Sequence, residues 1–236
     1  MEIAILMASG MGTRMRPLTE TIPKPLVKVA GKPMIETILD GLTKRGVDKI
    51  VVVTGYLGEQ FSYLADKYNN LVIVDNPFYK TVNNISSLFA AREYLLQGDC
   101  FICEADLYVS DDSIFQVELN NSCYYGKMIQ GHSDDWVFDL DDNGIITRVG
   151  KNGDDAYNMT GIAYFKQKDA KMLYEAMVEE FGKTGYEELF WDEVVDRHIK
   201  EFRLHVHPAE KEQIVEIDTV AELEAVRSRL ATNNDR

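Results

Sequence analysis

Apolar positions along the chain follow two alternating periods. Ile3–Met7 and Lys49–Thr54 are short continuous apolar runs, the second being the β-branched KIVVVT, and both read as strands covered on two faces. Between them Ile35, Ile38, Leu39 and Leu42 fall at i, i+3, i+4 and i+7, which predicts an amphipathic helix opened by Pro33 and closed by Gly46. Leu71–Val74 and Cys100–Cys103 repeat the buried-strand pattern, with helices expected near Glu59–Tyr68 and Ile85–Leu96. Strand–helix–strand alternation of this kind predicts a parallel sheet with helices on both sides.

The texture changes after about residue 120. Tyr124–Gln130, Trp136–Leu140, Ile145–Val149 and Tyr157–Phe165 read as strands separated by turn-rich DDNG and KNGDD, a spacing that suggests antiparallel additions. Ala170, Leu173, Met177 and Phe181 mark one helical stripe, and Leu189–Ile199 contains a second helix. A last strand near Gln213–Ile217 leads into a helix over Thr219–Leu230. No repeat, low-complexity tract or linker interrupts the chain. The expected fold is therefore one α/β domain with a Rossmann-like mixed, mainly parallel sheet flanked by helices.

Composition narrows the function classes. The 236 residues are 45% hydrophobic and 27% charged, enough for a real core and too balanced for a fibrous or disordered chain. A net charge of −14 argues against nucleic acid and anionic membranes as partners and leaves small molecules. The average hides an inversion: residues 1–33 hold five basic and two acidic side chains, hence +3, and the other 203 residues carry −17. The Met1–Ala8 start has no basic leader, and no apolar stretch approaches the ~20 residues a bilayer span needs, so a cytoplasmic location is expected. Cys100 and Cys103 stand three apart on a strand, facing opposite ways, and with Cys123 read as core thiols rather than zinc ligands. His205 and His207 share a strand face and read as structural, since only His132 and His198 remain as imidazole partners.

The chemistry begins at MASGMGTRMRPLTETIPKPL, Met7–Leu26. A strand runs into Gly10-Met11-Gly12, where bare backbone lets N–H groups approach phosphate oxygens. Arg14, Arg16 and Lys24 supply the positive charge a triphosphate needs. This is neither a Walker loop nor G-x-G-x-x-G. The string resembles the signature of the nucleotidyltransferases that activate sugar phosphates and related phosphates, with Ser9 for an Ala and Met at positions 7 and 15. The resemblance implies a nucleotide over the carboxyl edge of the sheet, contacted by Met7, Ala8, Ser9, Gly10, Gly12 and Thr13, with Lys24 near the transferred phosphoryl group.

Two acidic pairs, Glu104-Ala105-Asp106 and Glu216-Ile217-Asp218, end strands with the same spacing. Acids two apart on a strand face one way, and Mg²⁺ takes one or two carboxylates together with phosphate oxygens. Asp218 equally suits the cap of the following helix, and Asp106 the cap of a turn. The resemblance assigns the metal to Asp106 and Asp218 and leaves Glu104 on the nucleotide side.

Both tryptophans sit beside acids, in Asp134-Asp135-Trp136 and in Glu188-Leu189-Phe190-Trp191-Asp192. A quaternary ammonium donates no hydrogen bond and is held by aromatic faces with carboxylates nearby. Trp136 and Phe190 or Trp191, with Asp192 and Glu216, fit such a cage, although Trp191 also suits a core position on its helix. Over nearly the whole chain the sequence is similar to the bacterial CTP:phosphocholine cytidylyltransferases, through VTGY-x-x-E-Q-F-x-Y-L (53–64), N-N-x-x-S-L (83–88), L-F-W-D (189–192) and E-I-D-T (216–219). That resemblance implies choline contacts at Trp136, Phe190 (for an expected Tyr) and Asp192, and cytosine contacts at Asn84 and Ser87.

The expected reaction is attack of a phosphocholine oxygen on the α-phosphorus of CTP, giving CDP-choline and pyrophosphate with Mg²⁺ as cofactor. No side-chain base is needed, because the monoester is already anionic; Lys24 and Arg14 neutralise charge. Residues 1–120 would then bind nucleotide, and 121–236 would bind the acceptor and complete the metal site. Three alternatives stand beside it: 2-aminoethylphosphonate as acceptor, a sugar 1-phosphate as acceptor, and a non-catalytic nucleotide sensor.

Overall fold

β-Branched and apolar runs too short for helices build the centre of the molecule. The computed structural model describes residues 1–210 and 212–234. In chain order the elements are β1 (Glu2–Ala8), the two-residue strands β2 (Lys28–Val29) and β3 (Lys32–Pro33), α1 (Met34–Arg45), β4 (Lys49–Thr54), α2 (Tyr63–Lys67), β5 (Leu71–Asp75), α3 (Ile85–Ala90), β6 (Asp99–Glu104) and β7 (Leu107–Val109). There follow β8 (Cys123–Met128), β9 (His132–Leu140), β10 (Ile146–Asp154), β11 (Tyr157–Phe165), α4 (Gln167–Glu180), α5 (Trp191–Arg197), β12 (His205–Pro208), β13 (Ile214–Glu216) and α6 (Val220–Asn234). Among the described residues no helix is long and apolar enough to cross a membrane.

The main sheet runs β10-β9-β11-β6-β1-β4-β5, with β8 against β11 and β12 against β8. β6, β1, β4 and β5 are parallel, whereas β11 turns antiparallel onto β6 and starts the antiparallel part. This is the mixed, mainly parallel Rossmann-like sheet that the alternation of strands and helices predicts. Period-2 alternation along β1 fills both sides: Ile3 and Ile5 join the core under α3, α4 and α5, while Ala4, Leu6 and Ala8 join the core under α1 and α2. Cys100 and Cys103 enter opposite cores in the same way, as reduced, fully buried thiols whose pKa burial drives upward.

Three local readings change. The helix expected over Glu59–Tyr68 splits into a 3₁₀ turn at Gly58–Phe61 and α2, following Leu57 in the left-handed region at φ 49°. The helix expected over Ile85–Leu96 passes from α3 into a 3₁₀ turn at Arg92–Leu96. KNGDD is largely strand rather than turn, because β10 continues to Asp154 opposite His132, absorbing Asn152 at φ 66° in an irregularity between Lys151 and Gly153.

A small third core matters for the site. Met15, Val27, Val29 and Met34 from the amino-terminal loop region close on Ile217, Leu223 and Val226. β13 pairs antiparallel with β7, setting Glu216 opposite Leu107. Together these contacts bring residues 214–226 back beside β7 and the loop region that follows β1. Leu223→Ala is expected to cost roughly 2–4 kcal/mol in urea unfolding and to lower turnover, because the hole opens beneath Asp218. Unchanged stability would mean that α6 is not part of the cooperative unit.

Candidate active site

The carboxyl ends of β1 and β6 open into a cleft of about 670 Å³. Its floor is the loop after β1. Gly12 sits at φ 58°, and a Cβ there would stand 2.9 Å from Lys24 Cβ and 3.2 Å from Thr19 Cγ2, so the tight turn excludes any side chain. Thr19 Oγ1 donates to the Gly12 carbonyl at 2.7 Å. Ser9 is buried, donates to the Val53 carbonyl at 3.2 Å and accepts from Ser87 Oγ at 3.2 Å, tying the loop to β4 and α3. Around Gly10 no atom beyond its own chain neighbours lies within 4 Å of a Cβ position, and the residue lines the cleft. Met7, Ala8, Ser9, Gly10, Gly12, Thr13, Arg14 and Lys24 all line that space. Arg16 does not; it leaves the group of three cations expected from the sequence.

Lys24 is 6% exposed and donates to Asp106 Oδ2 at 2.6 Å and Asp218 Oδ1 at 2.7 Å. Arg14, largely in solvent, meets Asp218 Oδ2 at 2.7 Å. Burial works against the Lys24 charge, but Asp106 and Asp218 outweigh it and hold the ammonium above its ordinary pKa. Asp218 is not the helix cap: Thr219 Oγ1 accepts from the Glu222 N–H, and Glu222 accepts from the N–H groups of Asp218 and Thr219. Two carboxylates from distant segments therefore point at one cation position. Such a pair fits Mg²⁺, which would draw its other ligands from phosphate and water. Among the described residues the one three-residue cluster with metal-ligand spacing is Glu179, Glu180 and His198, where Lys183 and Arg197 already pair with Glu180.

Further along, the cleft is acidic. Glu104 is raised well above the usual carboxylate range by burial and by Asp106, Glu216 and Asp192. Glu216, exposed to the open cleft, is pushed up to about 7 by the partial loss of water around it there and by Asp218, Asp106 and Asp135. Asp192, only 2% exposed, is pushed up to about 7 chiefly by burial. Its Oδ1 has no hydrogen-bond partner; the nearby Tyr124 hydroxyl eases the rise but is likewise without a partner of good geometry. Trp136 and Phe190 meet edge to face at 5.4 Å beside this acid.

Trp191 corrects an expectation. Its ring is buried and stacks on Tyr124 at 5.6 Å, with Phe165 edge-on, so it supports the wall instead of lining the cleft. The reason is the helical period: adjacent residues point about 100° apart, and the face of α5 that carries Trp191 with Val194 and Val195 belongs to the core. Asn84 and Ser87 reach the cleft, and Asn84 Oδ1 also accepts from the Trp191 N–H at 2.9 Å, fixing the start of α5. Pro25, Lys151, Met159 and Gly161 line the cleft without having stood out in the sequence. Only Gly161 carried a signal, as a glycine inside a strand: at φ 79° its missing side chain makes room for Glu104 Oε2, 2.9 Å from a Cβ position.

Residues 3–135, more than half of the chain, match the family model described as nucleotidyl transferase. The chain belongs to the nucleotidyltransferase family. This nucleotidyltransferase is 54% identical to a 2-aminoethylphosphonate cytidylyltransferase of Lancefieldella rimae over 94% of this chain and 90% of the relative. It is 30% identical to a choline-phosphate cytidylyltransferase of Streptococcus pneumoniae over 98% of this chain and 99% of the relative. The solved structure of a CTP:phosphocholine cytidylyltransferase from S. pneumoniae superposes with a TM-score of 0.89 at 30% identity, covering 97% of this chain and 99% of that one.

The raised acid has a cost that can be measured. Asp192 ionises near 3.8 when unfolded and near 7 in the fold, so the folded state binds the extra proton between those values. Stability is then intact below the lower value, falls as pH rises, and levels off above the upper one. Asp192→Asn should remove this penalty. Its melting temperature should exceed wild type at pH 8 and match it near pH 4, while acceptor affinity falls. A gain that does not vary with pH would contradict the assigned protonation.

Proposed function

We propose that this nucleotidyltransferase is a cytidylyltransferase that transfers CMP from CTP to 2-aminoethylphosphonate, releasing pyrophosphate. One observation carries the choice of acceptor: the cleft is lined by a carboxylate, Asp192, that is 2% exposed and has no ion pair among the described residues. A trimethylammonium group has no N–H to give it, whereas a primary ammonium brings three. Glu216 lies on the same cleft as a further acceptor, and the two aromatic rings there, Trp136 and Phe190, meet edge to face. The 54% identical relative bears the aminoethylphosphonate name, which supports the same acceptor. Phosphocholine, the leading expectation from sequence, becomes the second reading, favoured by those two rings and by the 30% identical relatives.

The cleft then has an order. Backbone N–H groups of the loop and the open surface at Gly10 take the triphosphate, Asn84 and Ser87 face the base, and Arg14 holds the departing pyrophosphate. Asp106 and Asp218 would hold Mg²⁺, which when bound would neutralise phosphate charge there. Lys24 would stabilise charge on the α-phosphate as the phosphonate oxygen attacks. That oxygen is already anionic near neutral pH and needs no base from the protein. Binding at Asp192 and Glu216 orients the acceptor with its anionic end toward the nucleotide.

Pyrophosphate release should be followed with CTP or UTP and a panel of phosphocholine, 2-aminoethylphosphonate and a sugar 1-phosphate, with and without Mg²⁺. The expected result is at least about tenfold higher kcat/KM for the phosphonate with CTP. A preference for phosphocholine of that size would overturn the acceptor, and no release with any acceptor would favour a non-catalytic nucleotide sensor. Lys24→Ala should lower kcat by roughly 10²–10³-fold with the protein still folded. Near-normal turnover would remove Lys24 from the reaction.

A further inference from the structure

Lys151 stands where a bound ammonium would be attracted. Its Nζ lies 5.7 Å from the ring centroid of Trp136 and 5.9 Å from that of Phe190, the two aromatic walls at the cation end of the cleft. Acids are close at hand: Asp134 and Asp135 line the cleft, and Glu188, Glu193 and Asp196 line an adjoining cavity of about 380 Å³. Yet among the described residues Lys151 has no ion pair, and its ring contacts are its side-chain partners. Two of those acids are committed elsewhere, Glu193 accepting from the Phe190 N–H and Asp196 from the Val149 N–H.

The backbone holds the lysine in place. β10 sets Lys151 directly opposite Trp136 of β9, and opposed residues of an antiparallel pair share a face. At the irregularity that follows, Arg148 donates to the carbonyls of Lys151 at 3.1 Å and Asn152 at 3.0 Å while paired with Asp139. Trp136, Phe190 and Lys151 line both the cleft and the adjoining cavity, so the three side chains form the partition between them.

We propose that Lys151 is a specificity-determining residue: its ammonium occupies the ring faces of Trp136 and Phe190 and thereby disfavours acceptors whose cation depends on those faces. The inference rests on the acceptor reading given above. A quaternary ammonium needs aromatic faces and would have to displace a like charge to reach them. A primary ammonium is held mainly by hydrogen bonds to carboxylates and is less affected by the loss of the ring faces. Discrimination then comes from a repulsive element on one strand as well as from the attractive acid on α5.

The test is kcat/KM for phosphocholine and for 2-aminoethylphosphonate in wild type, Lys151→Met, Lys151→Ala and Lys151→Arg. In the Met and Ala variants the ratio of phosphocholine to phosphonate should rise by about tenfold or more, mainly through a lower KM for phosphocholine, with KM for CTP unchanged. Lys151→Arg keeps the cation and should keep the wild-type ratio. An unchanged ratio in the Met and Ala variants would overturn the proposal. So would a parallel rise of KM for both acceptors, which would make Lys151 a contact to their shared anionic end. Wild-type preference tests the acceptor itself, and the change on substitution tests Lys151, so the two readings fail separately.

Discussion

A single buried lysine holds together parts of the chain that would otherwise repel. Lys24 is 82 positions from Asp106 and 194 from Asp218, and both carboxylates reach its Nζ within 2.7 Å. Without the lysine, two anions would face one another at the end of the sheet; without the aspartates, burial would strip the lysine of its charge. The left-handed turn at Gly12, the β7–β13 pair and the third core beneath α6 each bring one member of this group into place. Much of the irregular backbone around the parallel core serves that convergence. The group also leaves its end of the cleft close to neutral, since Arg14 and Lys24 offset Asp106 and Asp218, while the rest of the lining is acidic.

The opposite end is built on a different principle. There Asp192 has a raised pKa and no ion pair among the described residues, while Glu104 and Glu216, raised as well, lie between it and the Lys24 group, both feeling Asp106. One cleft thus runs from a floor where two cations offset two carboxylates to a wall where the acids outnumber the cations. A zwitterion that is anionic at one end and cationic at the other matches this gradient in only one orientation. In the proposed reaction this fixes which acceptor atom faces the nucleotide before any chemistry occurs.

Legibility from sequence followed the range of the interactions. The parallel core could be read because continuous β-branched runs and the 3.6-residue period of α1 are local patterns, and β4 and α1 lie where those patterns put them. Lys24 and the acidic pairs carried a recognisable spacing, so the residues could be named, but their shared hydrogen bonds depend on β13 returning to β7, which no local pattern encodes. Trp191 and Phe190 show the limit more finely. They are neighbours in sequence, yet one faces the core and the other the cleft, and only the phase of α5 relative to Tyr124 decides which. Lys151 was hidden for another reason: KNGDD has the composition of a turn, and its place in β10 comes from pairing with β9.

The acidic wall bears on why the chain tolerates such a charge at all. A carboxyl raised by burial, as Asp192 is, makes the fold less stable than a neutral replacement would where the unfolded chain is ionised. A stability optimum would place amides or apolar groups at these positions. Retaining acids makes sense if a ligand supplies the missing positive charge, because the energy withheld from folding is then returned on binding, and returned only to ligands that carry a cation. Lys151 fits the same logic. A cation parked on aromatic faces, with no carboxylate partner among the described residues, can supply part of that charge from the protein itself without pairing with Asp192. The wall therefore stays open to a hydrogen-bonding ammonium while its aromatic part is already taken. Among 39 acidic residues, most are ordinary surface, and the few that line this cleft give the net charge of −14 its functional meaning.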